Sequence, residues 1–191
     1  MTEIDPRLLA LLAAPDEDRE AAYDLIDGVV HHIEVSFRNY RDHATELYAL
    51  APIRHLTLRD GDATDVAAFF GSKEISRLKS ILIHSAPVTD AELEILALSP
   101  HPTELRWLTF YEGRATFAGL RSMAESLSLE RLVHLDPGRE SEGVRKAYYT
   151  DWDGSIADSH FPKTGELLER WYGPIPWLIP DGPDAPDRFA V

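Results

Sequence analysis

The sequence has no cysteine and only two methionines among its 191 residues. Without thiols there are no disulfides and no thiolate-held metals, a composition suited to a reducing compartment. No apolar run approaches the ~18 residues that a membrane-spanning helix requires. The stretch from Met1 to Asp5 carries no basic leader. Together these features predict a cytoplasmic protein. Basic residues are scarce: 19 Lys and Arg stand against 33 Asp and Glu, for a net charge of −14. Residues 1–52, 53–137 and 138–191 are each net negative. Such a chain, with no Lys/Arg stripe, repels phosphate backbones and anionic lipid, so neither nucleic acid nor a membrane surface is an expected partner. G-x-S-x-G, P-loop and dinucleotide-binding phrases are also missing, and no serine has a placed base.

What is present is a spaced apolar triplet that recurs along the chain. It reads Val30-x-x-Ile33-x-Val35, Ile53-x-x-Leu56-x-Leu58, Leu78-x-x-Ile81-x-Ile83 and Leu105-x-x-Leu108-x-Phe110. A degraded fifth copy is read at Leu129-x-x-Leu132, with His134 in the third slot. The starts lie 23, 25, 27 and 24 residues apart. A phrase of this form at this period predicts an α/β leucine-rich repeat solenoid, with parallel strands on the concave face and helices on the convex face. Helical spacing follows each triplet over Tyr40 to Leu50, Ala63 to Phe70, Asp90 to Leu98 and Phe117 to Leu127. Thr89-Asp90 can cap the third of these helices.

Three regions follow from the pattern. Residues 1–29 are expected to form a helical N-terminal cap, with one helix entered at Pro6 and a second from about Glu17 to Leu25. Residues 30–137 form the solenoid. Residues 138–191 form a C-terminal cap, with strands over Val144 to Thr150 and Ser155 to Phe161 joined at Asp153-Gly154. Its Pro- and Trp-rich end, Trp171 to Pro180, is expected to pack against the last turn of the solenoid.

The stretch Asp27 to Asp60 resembles bacterial leucine-rich repeat proteins of the ribonuclease-inhibitor-like kind, specifically those with a repeat-companion segment. The phrase that carries the resemblance is Ala44, Glu46, Leu47, Leu50, Ala51, Pro52, Ile53, Arg54, Leu56 and Leu58, echoed by Ala91-Glu92-Leu93 and Ser99-Pro100-His101. The resemblance covers about residues 8–136 and implies protein–protein interaction with no shared catalytic activity. Two departures stand out. The companion module is short, and the position that often holds a ladder Asn is Arg38, Gly61, Ala86, Gly113 and Pro137. Without that Asn, the buried turn amides need other partners.

Alternation along a strand sends triplet positions 3, 5 and 7 to the concave face, where stacking turns each position into a column. The third column is His32, His55, Ser80, Trp107 and Arg131. The fifth is Glu34, Thr57, Leu82, Thr109 and Val133. The seventh is Ser36, Arg59, His84, Tyr111 and Leu135. Trp, Tyr and Arg dominate interface hot spots, so the expected partner-binding set is His32, Glu34, His55, Arg59, Leu82, His84, Trp107, Thr109, Tyr111 and Arg131. The occupant is another protein or peptide, as for an adaptor. The competing expectation is that the Pro/Trp-rich tail folds over this face.

No metal and no cofactor is expected. His31 and His32 face opposite sides of a strand, and His32 with His55 gains only Glu34 as a third ligand. Asp151-Trp152-Asp153-Gly154 resembles the first motif of haloacid-dehalogenase-type phosphohydrolases, in which a Mg²⁺ ion sits between two aspartates. Too little chain follows it to build the doubly wound sheet that this chemistry needs. The reading is therefore a non-catalytic interaction module. The alternatives are a homo-oligomeric subunit using the Pro/Trp-rich end and, more remotely, a Mg-dependent phosphohydrolase.

Overall fold

The computed structural model describes residues 4–12, 22–138 and 164–177. Its elements are α1 (Pro6–Leu12), β1 (Ala22–Ile26), β2 (Val29–Ser36), α2 (Phe37–Leu50), β3 (His55–Arg59), α3 (Ala63–Phe70), β4 (Ser80–Ile83), α4 (Asp90–Leu98), β5 (Trp107–Phe110), α5 (Phe117–Glu125), β6 (His134–Asp136) and α6 (Thr164–Tyr172). A single six-stranded sheet runs in chain order from β1 to β6. The β1–β2 pair is antiparallel and the other four pairings are parallel. The result is an α/β fold in which each strand from β2 to β5 is followed by a helix and then by its own sheet neighbour. Among the described residues, no helix is long and apolar enough to cross a membrane.

One face of the sheet is apolar from β2 to β6. Ile33, Leu56, Ile81, Leu108 and Leu135 lie in register, as do Val35, Leu58, Ile83 and, from β5, Phe110. They join Leu47, Val66, Phe70, Leu93, Leu96, Leu120 and Met123 from the helices in one continuous core. The core forms only where neighbouring strands and helices bring these side chains together.

Helix starts repeat as faithfully as strands. Ser36, Asp62, Thr89 and Thr116 are the N-caps of α2 to α5, spaced 26, 27 and 27 residues apart. Asp62 and Thr89 form full capping boxes with Asp65 and Glu92. Asp90 also accepts from both the backbone N (2.7 Å) and the hydroxyl (2.5 Å) of Thr116, tying one helix start to the next.

Two sequence expectations are corrected. The second N-terminal helix, expected to reach Leu25, is a strand where it is described. Asp27 (φ 52°) and Gly28 (φ 79°) form a two-residue turn that pairs Ile26 with Val29 and folds β1 back on β2. Two successive positive φ angles suit a type I′ hairpin, for which Asp-Gly is a favoured pair. The fifth repeat is three residues further on than expected. Val133 N donates to Arg106 O at 2.8 Å, just as Arg106 N donates to Lys79 O and Lys79 N to Arg54 O. His134 therefore pairs with Trp107, Leu135 with Leu108 and Asp136 with Thr109. Leu129 belongs to the preceding turn. Its carbonyl accepts from Leu132 N as Ile75 O accepts from Leu78 N and Pro102 O from Leu105 N.

Smaller shifts concern the helix ends: α2 begins three residues earlier than expected, at Phe37, and α5 ends at Glu125. Near the C-terminus, α6 places Leu168 in the core with Ile175 and Trp177. Trp171 meets Phe117 edge to face at 5.5 Å. Gly173 (φ 80°) closes α6, its N donating to Glu169 O at 2.9 Å. The expected strands over Val144 to Phe161, the Asp151–Asp153 motif and the tail beyond residue 177 lie outside the described residues.

The turns dispense with an Asn ladder by bringing backbone against backbone. Val88 and Gly113 form a parallel bridge, and Arg114 N donates to Val88 O at 2.7 Å. A Cβ on Gly113 would sit 1.7 Å from the Pro137 carbonyl oxygen. Gly113→Ala is expected to cost about 3 kcal/mol or more in urea unfolding, because rigid backbone cannot yield. Gly71 caps α3 at φ −80° with its nearest Cβ neighbour at 3.5 Å. Gly71→Ala is expected to stay within about 1 kcal/mol of wild type.

On α2, Tyr40 and Tyr48 share a hydroxyl–hydroxyl hydrogen bond of 3.0 Å. Burial pushes the Tyr40 hydroxyl pKa well above the ordinary tyrosine value and, next in order, the neighbouring Tyr48 raises it further. Burial likewise pushes Tyr48 up to about 12. These neutral phenols support the fold fully below about pH 10, the ordinary tyrosine value, and that support is lost as the pH climbs toward 12. Ultraviolet titration should show two tyrosines ionising later than the rest, with stability falling over that window.

Candidate functional site

Opposite the helices, the sheet carries a polar face ordered in columns. The first runs Asp24, His32, His55, Ser80, Trp107, His134, and the second Glu34, Thr57, Leu82, Thr109, Asp136. A third holds Ser36 and Arg59 in β2–β3 register. His84 and Tyr111 continue it, because their backbone N groups donate to Leu58 O and Ile83 O.

Side chains in these columns hold one another. His32 Nδ1 lies 2.5 Å from Asp24 Oδ2, and its Nε2 lies 2.9 Å from Thr57 Oγ1. His55 Nδ1 lies 2.9 Å from Ser80 Oγ. Trp107 stacks on His134 with ring centroids 3.7 Å apart, and its Nε1 donates to Thr109 Oγ1 at 3.0 Å. Arg59 Nε is 3.5 Å from Glu34 Oε1, and its Nη1 donates to Asp60 at 3.2 Å. His84 meets the Tyr111 ring at 4.7 Å.

Burial divides the expected site residues. His32, His55, Arg59 and Thr109 are buried. Glu34, Leu82 and Trp107 are half-buried, while His84 and Tyr111 are exposed, Tyr111 by 42%. Arg131 is not in the column. With the fifth repeat re-registered it lies before β6, exposed, with its Nη1 2.7 Å from both carboxylate oxygens of Glu104. His134 takes its place beside Trp107. Val133 and Leu135 also leave the outward columns, and Asp136 enters the second.

Sequence reasoning missed Asp24, His134 and Asp136. The Asp27-Gly28 hairpin by itself would set Asp24 opposite His31, and a register shift between Asp24 and Leu25 moves it to His32. The His134 position follows once the spacing between repeats four and five is taken as 27 residues, from Leu105 to Leu132.

The Asp24–His32–Thr57 chain has an acid, an imidazole and a hydroxyl in hydrogen-bond sequence. Acyl-transfer chemistry also needs donors aimed at a developing oxyanion. The Thr57 backbone lies mid-strand between two parallel neighbours, where amides are committed to the ladder. These hydrogen bonds hold the three side chains in fixed orientations. Among the described residues, no group of three or more His, Asp or Glu is placed to hold a metal. Comparison with family models, curated proteins and solved structures finds no match for this chain.

A double-mutant cycle on His32→Ala and Thr57→Val should give a coupling of about 1 kcal/mol, the net worth of one buried hydrogen bond. Additive effects would mean that the two side chains do not act together.

Proposed function

We propose that the protein is a non-catalytic interaction module, a leucine-rich repeat solenoid that binds another protein or peptide through its helix-free face. Three features support the repeat reading: sheet order that follows chain order, neighbour-to-neighbour crossovers, and apolar columns in register. A cysteine-free, acidic composition suits a cytoplasmic setting.

The observation that carries the binding reading is the Tyr111–His84 pair. Tyr111 remains 42% exposed on a face whose other aromatic, Trp107, is stacked and hydrogen-bonded in place. A tyrosine on a rigid strand end contributes contact area at small entropic cost. Leu82 lies in the adjoining column, and Trp107 one column further along. The buried residues His32, His55, Arg59 and Thr109 hold that surface in shape, while Tyr111, His84, Leu82, Trp107 and Glu34 meet the partner.

A second reading rests on α6. Trp171 is 57% exposed beside Phe117, with the Arg121 guanidinium 6.0 Å from its ring. A homo-oligomer built through this aromatic surface would change native mass on Trp171→Ser.

Affinity capture with the wild-type chain and with Tyr111→Ala/His84→Ala decides the first reading. The double variant should lose its partner by about 30-fold or more, on the order of 2 kcal/mol for a hot spot. Its thermal midpoint should stay near wild type, since both side chains are exposed. Unchanged capture would reject the assignment of this face.

A further inference from the structure

We propose that the edge where the parallel strands enter the sheet binds a short, extended, acidic segment of a partner protein. Stacking builds at this edge a cationic stripe that the linear sequence lacks. Arg54, Lys79 and Arg106 each stand immediately before a strand, β3, β4 and β5 in turn. They are locked in one row, Lys79 N donating to Arg54 O at 2.7 Å and Arg106 N to Lys79 O at 2.8 Å. Two residues earlier in each repeat a second row runs Arg77, Glu104 and Arg131. Arg131, moved out of the concave column by the re-registered fifth repeat, reaches back to Glu104 at 2.7 Å.

These cations are open to solvent and short of carboxylates. Arg54, Arg77 and Arg131 are exposed, and Lys79 and Arg106 half-buried. Arg7, Arg41, Arg59, Arg121 and Arg131 each pair with an Asp or Glu. Arg54, Arg77 and Arg106 have no such pair among the described residues. Neutral groups hold the first two instead. Arg54 Nη1 donates to Arg77 O at 3.1 Å, and the Arg77 guanidinium lies 4.9 Å over the Tyr48 ring. Arg106 makes no side-chain hydrogen bond among the described residues, and of its nitrogens only Nε is closed to solvent. Five cations thus face two carboxylates, Glu104 and Glu130, for a net charge of +3 on a chain of −14. Lys73 and Glu74, beside Arg77, cancel each other.

Like charges stacked in register repel one another, in a chain with 33 acids available to relieve them. Such a cost, kept on one edge, is the pattern expected where stability is given up for binding. The charge calls for an anionic occupant, and the dimensions call for a short one. From β3 to β6 the edge spans about 14 Å at ~4.8 Å per strand. An extended chain covers that distance in about five residues. Its alternate side chains point the same way, so acids at every second position meet the stripe together. A long polyanion would run past the edge onto a protein of its own charge sign.

The test is an amide NMR titration of the full chain at low salt with the end-capped peptide Glu-Ala-Glu-Ala-Glu. Gln-Ala-Gln-Ala-Gln is its neutral counterpart, and a short oligothymidylate is the nucleic-acid counterpart. The acidic peptide should shift the amides of Arg77, Lys79 and Arg106 saturably, with a Kd on the order of millimolar for a few exposed ion pairs. Raising the salt to about 0.3 M should weaken it at least about fivefold. The neutral peptide should give no saturable shifts, and the oligothymidylate should bind more weakly than the acidic peptide. Arg54→Gln/Arg106→Gln should weaken the acidic peptide about tenfold while the thermal midpoint of the free protein holds or rises. Arg38→Gln/Arg41→Gln makes the same charge change on the first turn of α2, at the other end of the strands, and should leave binding within about twofold. Absence of saturable shifts, equal binding of the neutral peptide, or equal losses in the two double variants would each overturn the proposal. Tighter binding of the oligothymidylate would assign the edge to nucleic acid and overturn it too. So would a lower thermal midpoint in Arg54→Gln/Arg106→Gln, because the cations would then be structural. Tyr111 and His84 stand where β5 and β4 end, so this edge and the helix-free face stand or fall separately.

Discussion

The structure depends on strand register. Each repeat presents two or three apolar side chains to one side of a short parallel strand, and none of these sets is large enough to form a core by itself. Only when Ile33, Leu56, Ile81, Leu108 and Leu135 stand in one row does a dry interior exist for the helices to close over. A slip of one residue would turn that row to the other face and put histidines in its place. The backbone bonds from Arg54, Lys79, Arg106 and Val133 to the preceding repeat lock the register just before each strand from β3 to β6 begins. The N-caps set the same spacing for the helices, and Asp90 links two of those starts directly.

Register has a second consequence on the opposite face. Stacking brings side chains of like position within hydrogen-bond reach, so imidazoles and hydroxyls 25 residues apart in sequence become partners. Polar groups buried in this way are tolerated because they satisfy one another. Their mutual bonding removes them from direct recognition and leaves the accessible chemistry to the margin, where Tyr111 and His84 lie. In the function proposed above, the face is a platform with an aromatic edge that contacts a partner with little ordering cost.

The two faces differ in how they could take a ligand. The sheet face is broad and fixed. The helix face is continuous where α3, α4 and α5 pack closely, and it opens between α2 and α3 into a cleft of small-molecule size. Gly119 illustrates the close packing: a Cβ there would lie 2.5 Å from Asp90 Oδ1 and 3.0 Å from Leu93 Cδ1. The region between α2 and α3 is instead spanned by one long Arg41–Asp65 pair over aromatic rings.

The sequence by itself determined the apolar periodicity, the inward apolar positions, the outward columns of β2 to β5 and the existence of α2 to α5. Those features follow from local periodicity, because an inward position tolerates only apolar side chains and a helix start favours Ser, Thr or Asp. It also held a signal for β1 in Asp27-Gly28, where a two-residue turn outweighs the helical spacing of the residues before it. Tertiary structure alone decided the fifth repeat. Leu129 and Leu132 fit the phrase equally well, and only the bond from Val133 to Arg106 selects between them. It also decided which polar residues are buried, and that Asp24, His32 and Thr57 meet. Each of these rests on neighbours many residues away, whose distances are set by stacking and not by local pattern.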